Sequence, residues 1–328
     1  MIKNEIFSIT IEENTKIDIK IDLTAAIIFE EKKEKIIEHA EMHLKHAKKE
    51  GIEIIYSDKE LDLKEERLNR LRVINQVKLA LEEDRVIPVF QPIFKTDNDI
   101  TYEALVRIKE VNEKGETIDL ISPFFFLDII KKTPSYEALT KVMIKKTFEK
   151  FENSNNSFSI NFSFEDIKND NIKNYLLNRL LKYKNGNKLI IEILESENIN
   201  DFHKVNEFIE ELRKFKVRIA LDDFGSGYAN FAYLLQLKPD YIKIDGEIIK
   251  NLDKNDDNRK LAKSICGMAQ ELNIDIIGEF IHSQKVFEIS QELGFQGYQG
   301  FHLAQPSEKT NYENIYFCNI ERYKNFNI

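Results

Sequence analysis

Apolar residues recur along this chain with two different periods, and the change from one to the other divides it. At the N-terminus the period is two. Phe7-Ser-Ile-Thr-Ile-Glu12 and Ile17-Asp-Ile-Lys-Ile-Asp-Leu23 alternate apolar with polar on either side of Asn14-Thr15, which predicts a hairpin. The second strand is expected to run on through residues 25–29. The period then turns helical: Ile36, Ile37, Ala40, Leu44 and Ala47 share one face, and Lys48, Lys49 and Gly51 suit a helix C-terminus. Residues 52–56 read as a short strand. Residues 1–57 are thus a small partial α+β unit, β-β-α-β, with too little core for an independent domain of ordinary stability. Across 58–84, Leu61, Leu68, Leu71, Ile74, Val77 and Leu81 recur at steps of three, four or seven in a charge-dense background. That predicts an amphipathic connecting helix.

From residue 85 onward short β-branched runs alternate with helical patterns. Strands are expected at 86–90, 102–108, 157–162, 188–193, 217–221, 241–244, 274–277 and 295–298, with helices at 201–214, 229–236, 257–272 and 283–293. Alternation of this kind predicts a parallel, barrel-like sheet. Only Asp97-Asn98-Asp99 separates the first two strands. That is hairpin length, so this pair is expected to be antiparallel. The fold expected for 85–328 is a TIM-like (β/α)8 barrel with one reversed strand.

Polar residues stand at the ends of these runs: Glu103, Asn161, Glu192, Asp222-Asp223, Lys243, Glu279 and Gln299. The steps between them, 20 to 58 residues, mostly suit one β-α unit each. Strands of a β/α barrel end at one face, so distant residues converge there. Each residue alone has an ordinary explanation: a surface carboxylate at Glu103, a turn at Asn161, a buried salt bridge at Glu192, a helix cap at Asp222-Asp223, a Lys243–Asp245 pair. Together they place four or five carboxylates in one cavity, where they repel unless cations hold them. Hard oxygen donors with one amide, without thiolate or imidazole, suit Mg²⁺ or Mn²⁺ rather than zinc. Two such ions sharing a carboxylate would serve a phosphodiester displacement.

Composition narrows the partners. The net charge of −9 argues against a nucleic-acid polymer, which needs a basic field. Cys266 and Cys318 make neither a disulfide framework nor a metal-ligand spacing. No apolar run approaches membrane-spanning length, and MIKNEIFSIT lacks a signal-peptide core, so a cytoplasmic protein is expected. An anchor could lie outside this chain if it is part of a longer one.

From Phe90-Gln-Pro-Ile93 to about Pro306 the chain resembles the EAL-domain family of cyclic-di-GMP phosphodiesterases. The resemblance rests on Glu103-Ala-Leu with Arg107, Asn161-Phe-Ser163, Glu192-Ile-Leu-Glu195-Ser, Asp222-Asp-Phe-Gly-Ser-Gly-Tyr228, Pro239-Asp-Tyr-Ile-Lys-Ile-Asp245 and Gln299-Gly-Phe301. It implies hydrolysis of cyclic-di-GMP to linear pGpG with two divalent cations, Mg²⁺ or Mn²⁺, by a homodimer formed through the barrel. Glu103, Asn161, Glu192 and Asp222 would surround one metal; Asp222, Asp223 and Glu279 would hold the other. Lys243 would orient a metal-bound water and Gln299 support the cluster. Glu103 and Glu279 count among the catalytic residues as well. Gln91 would touch a guanine, and Leu105 and Arg107 the substrate backbone. One departure is His282, where the family has a glutamate bracing the Asp-Asp loop. That departure keeps a second reading open, a receptor that binds cyclic-di-GMP without cutting it. A third, weaker reading is a barrel phosphodiesterase acting on another phosphodiester. The N-terminal piece is similar to the second half of a GGDEF domain, without that domain's signature, so synthesis of the dinucleotide is not expected.

Overall fold

A computed structural model describes residues 6–10, 16–20, 25–27, 54–56, 59–194, 202–225 and 231–310. The chain divides into two compact units, Met1–Val73 and Ile74–Ile328. In the first, β1 (Ile6–Thr10) and β2 (Lys16–Lys20) pair antiparallel with Ile9 opposite Ile17, as their alternation predicts. The second strand does not run on through 25–29. Residues Ala25–Ile27 form a separate strand, β3, paired in parallel with β4 (Ile54–Tyr56) in a sheet of their own. The helix expected over Ile36 to Ala47 lies outside the described residues. Helix α1 (Lys59–Glu82) covers the expected connecting helix, and Val77 and Ala80 near its end are buried.

The second unit is a closed barrel. In chain order its strands are β5 (Val86–Lys95), β6 (Ile100–Val111), β7 (Thr117–Ile121), β8 (Ser157–Asn161), β9 (Leu189–Leu194), β10 (Arg218–Phe224), β11 (Tyr241–Ile244), β12 (Asp275–Gly278) and β13 (Gly297–Tyr298). β5 is antiparallel to both neighbours, β6 and β13; every other pair in the ring is parallel. The single reversed strand follows from the tight turn after it. Asn98 adopts φ 68, a left-handed value Asn tolerates, and Asp97 Oδ1 accepts from the Asp99 amide at 3.1 Å. β7 was not foreseen. It pairs with the far end of β6, whose twelve residues outrun its partners β5 and β8, and it stands outside the closed ring.

Helices wrap the ring: α2 (Leu127–Ile130), α3 (Pro134–Phe151), α4 (Phe164–Lys168), α5 (Asp170–Lys182), α6 (Phe202–Arg213), α7 (Phe231–Leu237), α8 (Gly246–Ile249), α9 (Asp256–Glu271) and α10 (Gln284–Glu292). α3 shows why they pack. Its Leu139, Met143, Ile144, Phe148 and Phe151 recur at helical spacing and are buried. Phe151 stacks on Phe158 of β8 with centroids 4.8 Å apart. Each such ring contributes about 1.5–3 kcal/mol on burial. α4 starts at a capping box, in which Ser163 and Asp166 bond each other's backbone amides.

Candidate active site

The site stands one layer above an apolar plug. Ile93, Ile190, Ala220, Tyr241 and Ile277 form a buried cluster inside the barrel. Side chains alternate along a strand, so the residue two positions on faces the same interior. Two steps past Ile190, Ala220, Tyr241 and Ile277 stand Glu192, Asp222, Lys243 and Glu279. On β5 the count runs backwards, from Ile93 to Gln91, because that strand is reversed. Thr101 and Ser159, both buried, lie two steps below Glu103 and Asn161. Period-two alternation and one reversed strand thus deliver eight polar residues, with Gln299 just past β13, to the carboxyl ends of the parallel strands.

Lys243 is the hub. Its side chain is 0% exposed, and its Nζ lies 2.6 Å from Glu192, 2.8 Å from Glu279, 3.0 Å from Asp222 and 3.3 Å from Glu103. The expected Lys243–Asp245 pair does not form; Asp245 instead caps α8, accepting from the Glu247 amide. Alternation sends Asp245, like Lys243, off the strand on one side, but β11 ends at Ile244 and Asp245 turns into the helix cap. Gln299 Nε2 donates to Glu103 at 2.6 Å and also approaches Gln91 Oε1 at 3.3 Å, while Asn161 Nδ2 donates to Glu103 at 2.8 Å.

Two triads of carboxylates have oxygens within 4.8 Å of one another: Glu103, Glu192 and Asp222, and Asp222, Asp223 and Glu279. Asp222 belongs to both. Adjacent residues can serve one site because β10 carries a bulge there. Its register against β11 steps from Leu221–Ile242 to Phe224–Ile244, one residue too many on β10, and Asp223 takes φ 54. The strand expected to stop at residue 221 therefore runs through the pair.

One ammonium faces several buried carboxylates, and burial opposes charge on each of them. Burial lowers the Lys243 pKa, but Asp222, Glu103, Glu192 and Glu279 together hold it well above its ordinary value. Burial raises Glu103 too, yet Lys243, Gln299 and Asn161 outweigh it and keep that carboxyl below the usual range. The other four carboxyls are shifted the opposite way. Burial and then the Glu103 charge push Glu192 up to about 8. Burial raises Asp222 and lifts Glu279 well above its ordinary value. Burial and the Asp222 charge bring Asp223 to about 6. Metal binding needs the ionised carboxylate and so opposes these upward shifts. The donors fit divalent cations on two counts. They are hard oxygens without Cys or His, and the buried Gln299 Oε1 beside them has no hydrogen-bond partner.

A cavity of about 380 Å³ opens over this cluster, lined by Gln91, Glu103, Leu105, Glu279, Gln299 and neighbours. Leu105 thus reaches the cavity beside Glu103. Arg107 does not line it; half-buried, it donates to the Val106 carbonyl at 2.8 Å. His282 is exposed, its Nδ1 3.3 Å from the Phe280 carbonyl. Residues 226–230 of the Asp-Asp loop lie outside the described residues. Sequence reasoning missed the Lys243 hub with its four acidic partners, and it missed Phe280, whose signal was a bulky aromatic directly after a strand-terminal glutamate.

Fold and site together define a β/α barrel with one reversed strand and an acid-rich, hard-oxygen centre at its mouth. The chain belongs to the EAL domain family, whose profile matches residues 74–306. It is 28% identical over 267 residues to the cyclic di-GMP phosphodiesterase PdeB of Shewanella oneidensis, covering 79% of this chain and 30% of that protein. It is also 28% identical over 251 residues to the cyclic di-GMP phosphodiesterase PdeF of Escherichia coli, covering 74% and 33%. The chain therefore spans about a third of the length of the curated relatives it matches. Among solved structures the fold is similar to the FimX EAL domain of Pseudomonas aeruginosa bound to c-di-GMP. That match has a TM-score of 0.67 at 22% identity, over 73% of this chain and 98% of that one. Among the described residues no helix is long and apolar enough to cross a membrane.

Proposed function

We propose that the barrel hydrolyses cyclic-di-GMP to linear pGpG with divalent cations. The observation that carries this reading is the pair of carboxylate triads joined through Asp222 around the buried Lys243. The names of the relatives, cyclic di-GMP phosphodiesterases, support the substrate. Two ions, Mg²⁺ or Mn²⁺, are read into the triads, one held by Glu103, Asn161, Glu192 and Asp222 and the other by Asp222, Asp223 and Glu279. Bound there, they supply Lewis acidity and charge neutralisation for an in-line displacement.

The chain's own groups do the rest. Lys243, a donor only, keeps its proton, fixes the acidic ring and orients the attacking water. Glu103, Glu279 and Gln299 complete the catalytic set, with Gln299 Oε1 as a free buried acceptor. Gln91 contacts a guanine; Leu105 and Arg107 contact the sugar-phosphate backbone, Arg107 after turning from Val106. Water adds at phosphorus, the bond to one 3′ oxygen breaks, and that oxygen takes up a proton. The reading extends to a homodimer through the barrel in the cytoplasm. It divides the chain into a partial GGDEF-like piece at 1–57, a connecting helix at 58–84 and the phosphodiesterase barrel at 85–328.

The test is incubation with cyclic-di-GMP and Mn²⁺ followed by chromatography. The wild-type chain is expected to release pGpG, and Glu103→Ala to release none while keeping the wild-type circular dichroism spectrum. Binding without product identifies a receptor and overturns the proposal. So does full turnover by Glu103→Ala.

A further inference from the structure

Phe280 is the residue beside the site that packing does not explain. It follows Glu279, lines the cavity over the carboxylates, and is 65% exposed. Its φ is 50. A bulky side chain in the left-handed region is an outlier, and such strain collects where a binding surface uses it. Among the described residues the other non-glycine positions with positive φ are Asp, Asn or Lys, and Phe280 is the aromatic exception.

The backbone around Phe280 is over-determined. The Ile281 amide donates to the Gln299 carbonyl at 2.9 Å and the His302 amide to the Ile281 carbonyl at 3.1 Å. Ile281 is fully buried, which leaves its neighbour Phe280 facing out. The ring leans on Gly246 at the start of α8; a Cβ there would come within 2.4 Å of it. One side of the ring is thus supported by a residue without a side chain, and the rest is open to the cavity. Phe301, 66% exposed, lines the same cavity, as does Gln91.

We propose that Phe280, seated on Gly246, is a stacking platform for one nucleobase of the substrate and so helps set specificity for a base-bearing phosphodiester. This rests on the proposed phosphodiesterase reading. An exposed flat ring with one supported side, opening on the cavity that holds the carboxylates, suits a planar heterocycle. Every base has a π-face, so the ring favours a phosphodiester that carries a base over one that does not.

The test uses the full chain with cyclic-di-GMP and Mn²⁺. Phe280→Leu is expected to raise KM about 5- to 150-fold, the range for losing one base–aromatic stack, with kcat nearly unchanged and Phe280→Tyr restoring KM. Gly246→Ala, which pushes the ring aside without removing it, is expected to raise KM in the same direction. The chain has no Trp, so Phe280→Trp creates a single reporter. Its emission is expected to be quenched by cyclic-di-GMP in EDTA and untouched by dimethyl phosphate, a phosphodiester without a base. A kcat loss at unchanged KM in Phe280→Leu, failure of Phe280→Tyr to restore KM, or no quenching overturns the platform. If the wild type neither binds nor cuts cyclic-di-GMP, the underlying reading fails. If the wild type turns over and the Phe280 variants share its KM, the platform alone fails.

Discussion

Replacing Lys243 with Met tests the electrostatics of the site most directly, because the thioether fills similar space without charge. Four carboxylate oxygens lie 2.6–3.3 Å from the ammonium. At an effective dielectric constant of about 20, each full charge pair at ~3 Å attracts by roughly 5–6 kcal/mol. Most of that is cancelled. The ammonium has been stripped of water, the carboxylates repel one another, and burial pushes several of them toward the neutral form. What survives for a buried pair broken on one side is about 3–5 kcal/mol. For a domain of this size, 1 kcal/mol moves Tm by ~2–4 °C, so Lys243→Met should lower Tm by roughly 6–20 °C in EDTA. The deficit should grow from pH 6 to pH 8, as acidic neighbours that shed protons lose their counter-charge. Mn²⁺ should recover more of the stability in the variant than it adds to the wild type, since the cations take over neutralisation. Thermal unfolding followed by circular dichroism, with and without Mn²⁺ at both pH values, reads all three effects. A variant that melts with the wild type in EDTA at pH 8 would refute the role assigned to this lysine.

Three further outcomes are expected. Wild-type chain in EDTA should lose stability as pH rises from the ordinary carboxylate value of 4.5 toward about 8, because folded Glu192 retains a proton that the unfolded chain releases; differential scanning fluorimetry across that range checks the sign, and a rise in Tm would contradict it. Gly300→Ala should cost ~1–3 kcal/mol in urea unfolding, since its Cβ would meet the Ile281 carbonyl oxygen at 2.1 Å and backbone cannot step aside. Asp166→Ala should cost ~2–3 kcal/mol without changing Mn²⁺ affinity by titration calorimetry. It removes a buried acceptor shared by the Ser163 amide and hydroxyl, Tyr136 and Thr140, outside the carboxylate cluster.

Much of this molecule is written in local pattern. The eight staves of the barrel were legible because strand and helix periods differ and because parallel strands buried on both faces become short β-branched runs. The reversed strand was legible from three turn residues, Asp97 to Asp99, which leave no room for a crossover. The list of polar strand-end residues was legible too, because a carboxylate or amide closing an apolar run is unusual wherever it stands. β7 was not legible: its need arises from the length of β6 relative to its partners, which no window of sequence contains. Nor was the separation of β3 from β2, which depends on a partner at Ile54–Tyr56.

The tertiary structure alone decided how those residues meet. In the sequence the acidic residue nearest Lys243 is Asp245, and separation along the chain hides the partners it meets; closure of the ring sets four distant ones within 3.3 Å of it. Sequence placed Asp222 and Asp223 side by side, where plain alternation would aim them at opposite faces. A one-residue bulge and a left-handed Asp223 turn both toward the mouth. Sequence also named Glu279 and passed over Phe280, since an exposed ring looks the same as a buried one until Ile281 has claimed the interior. Residue types and their order are local properties; distance, burial and charge balance are properties of the closed barrel, and the chemistry of this site depends on those three.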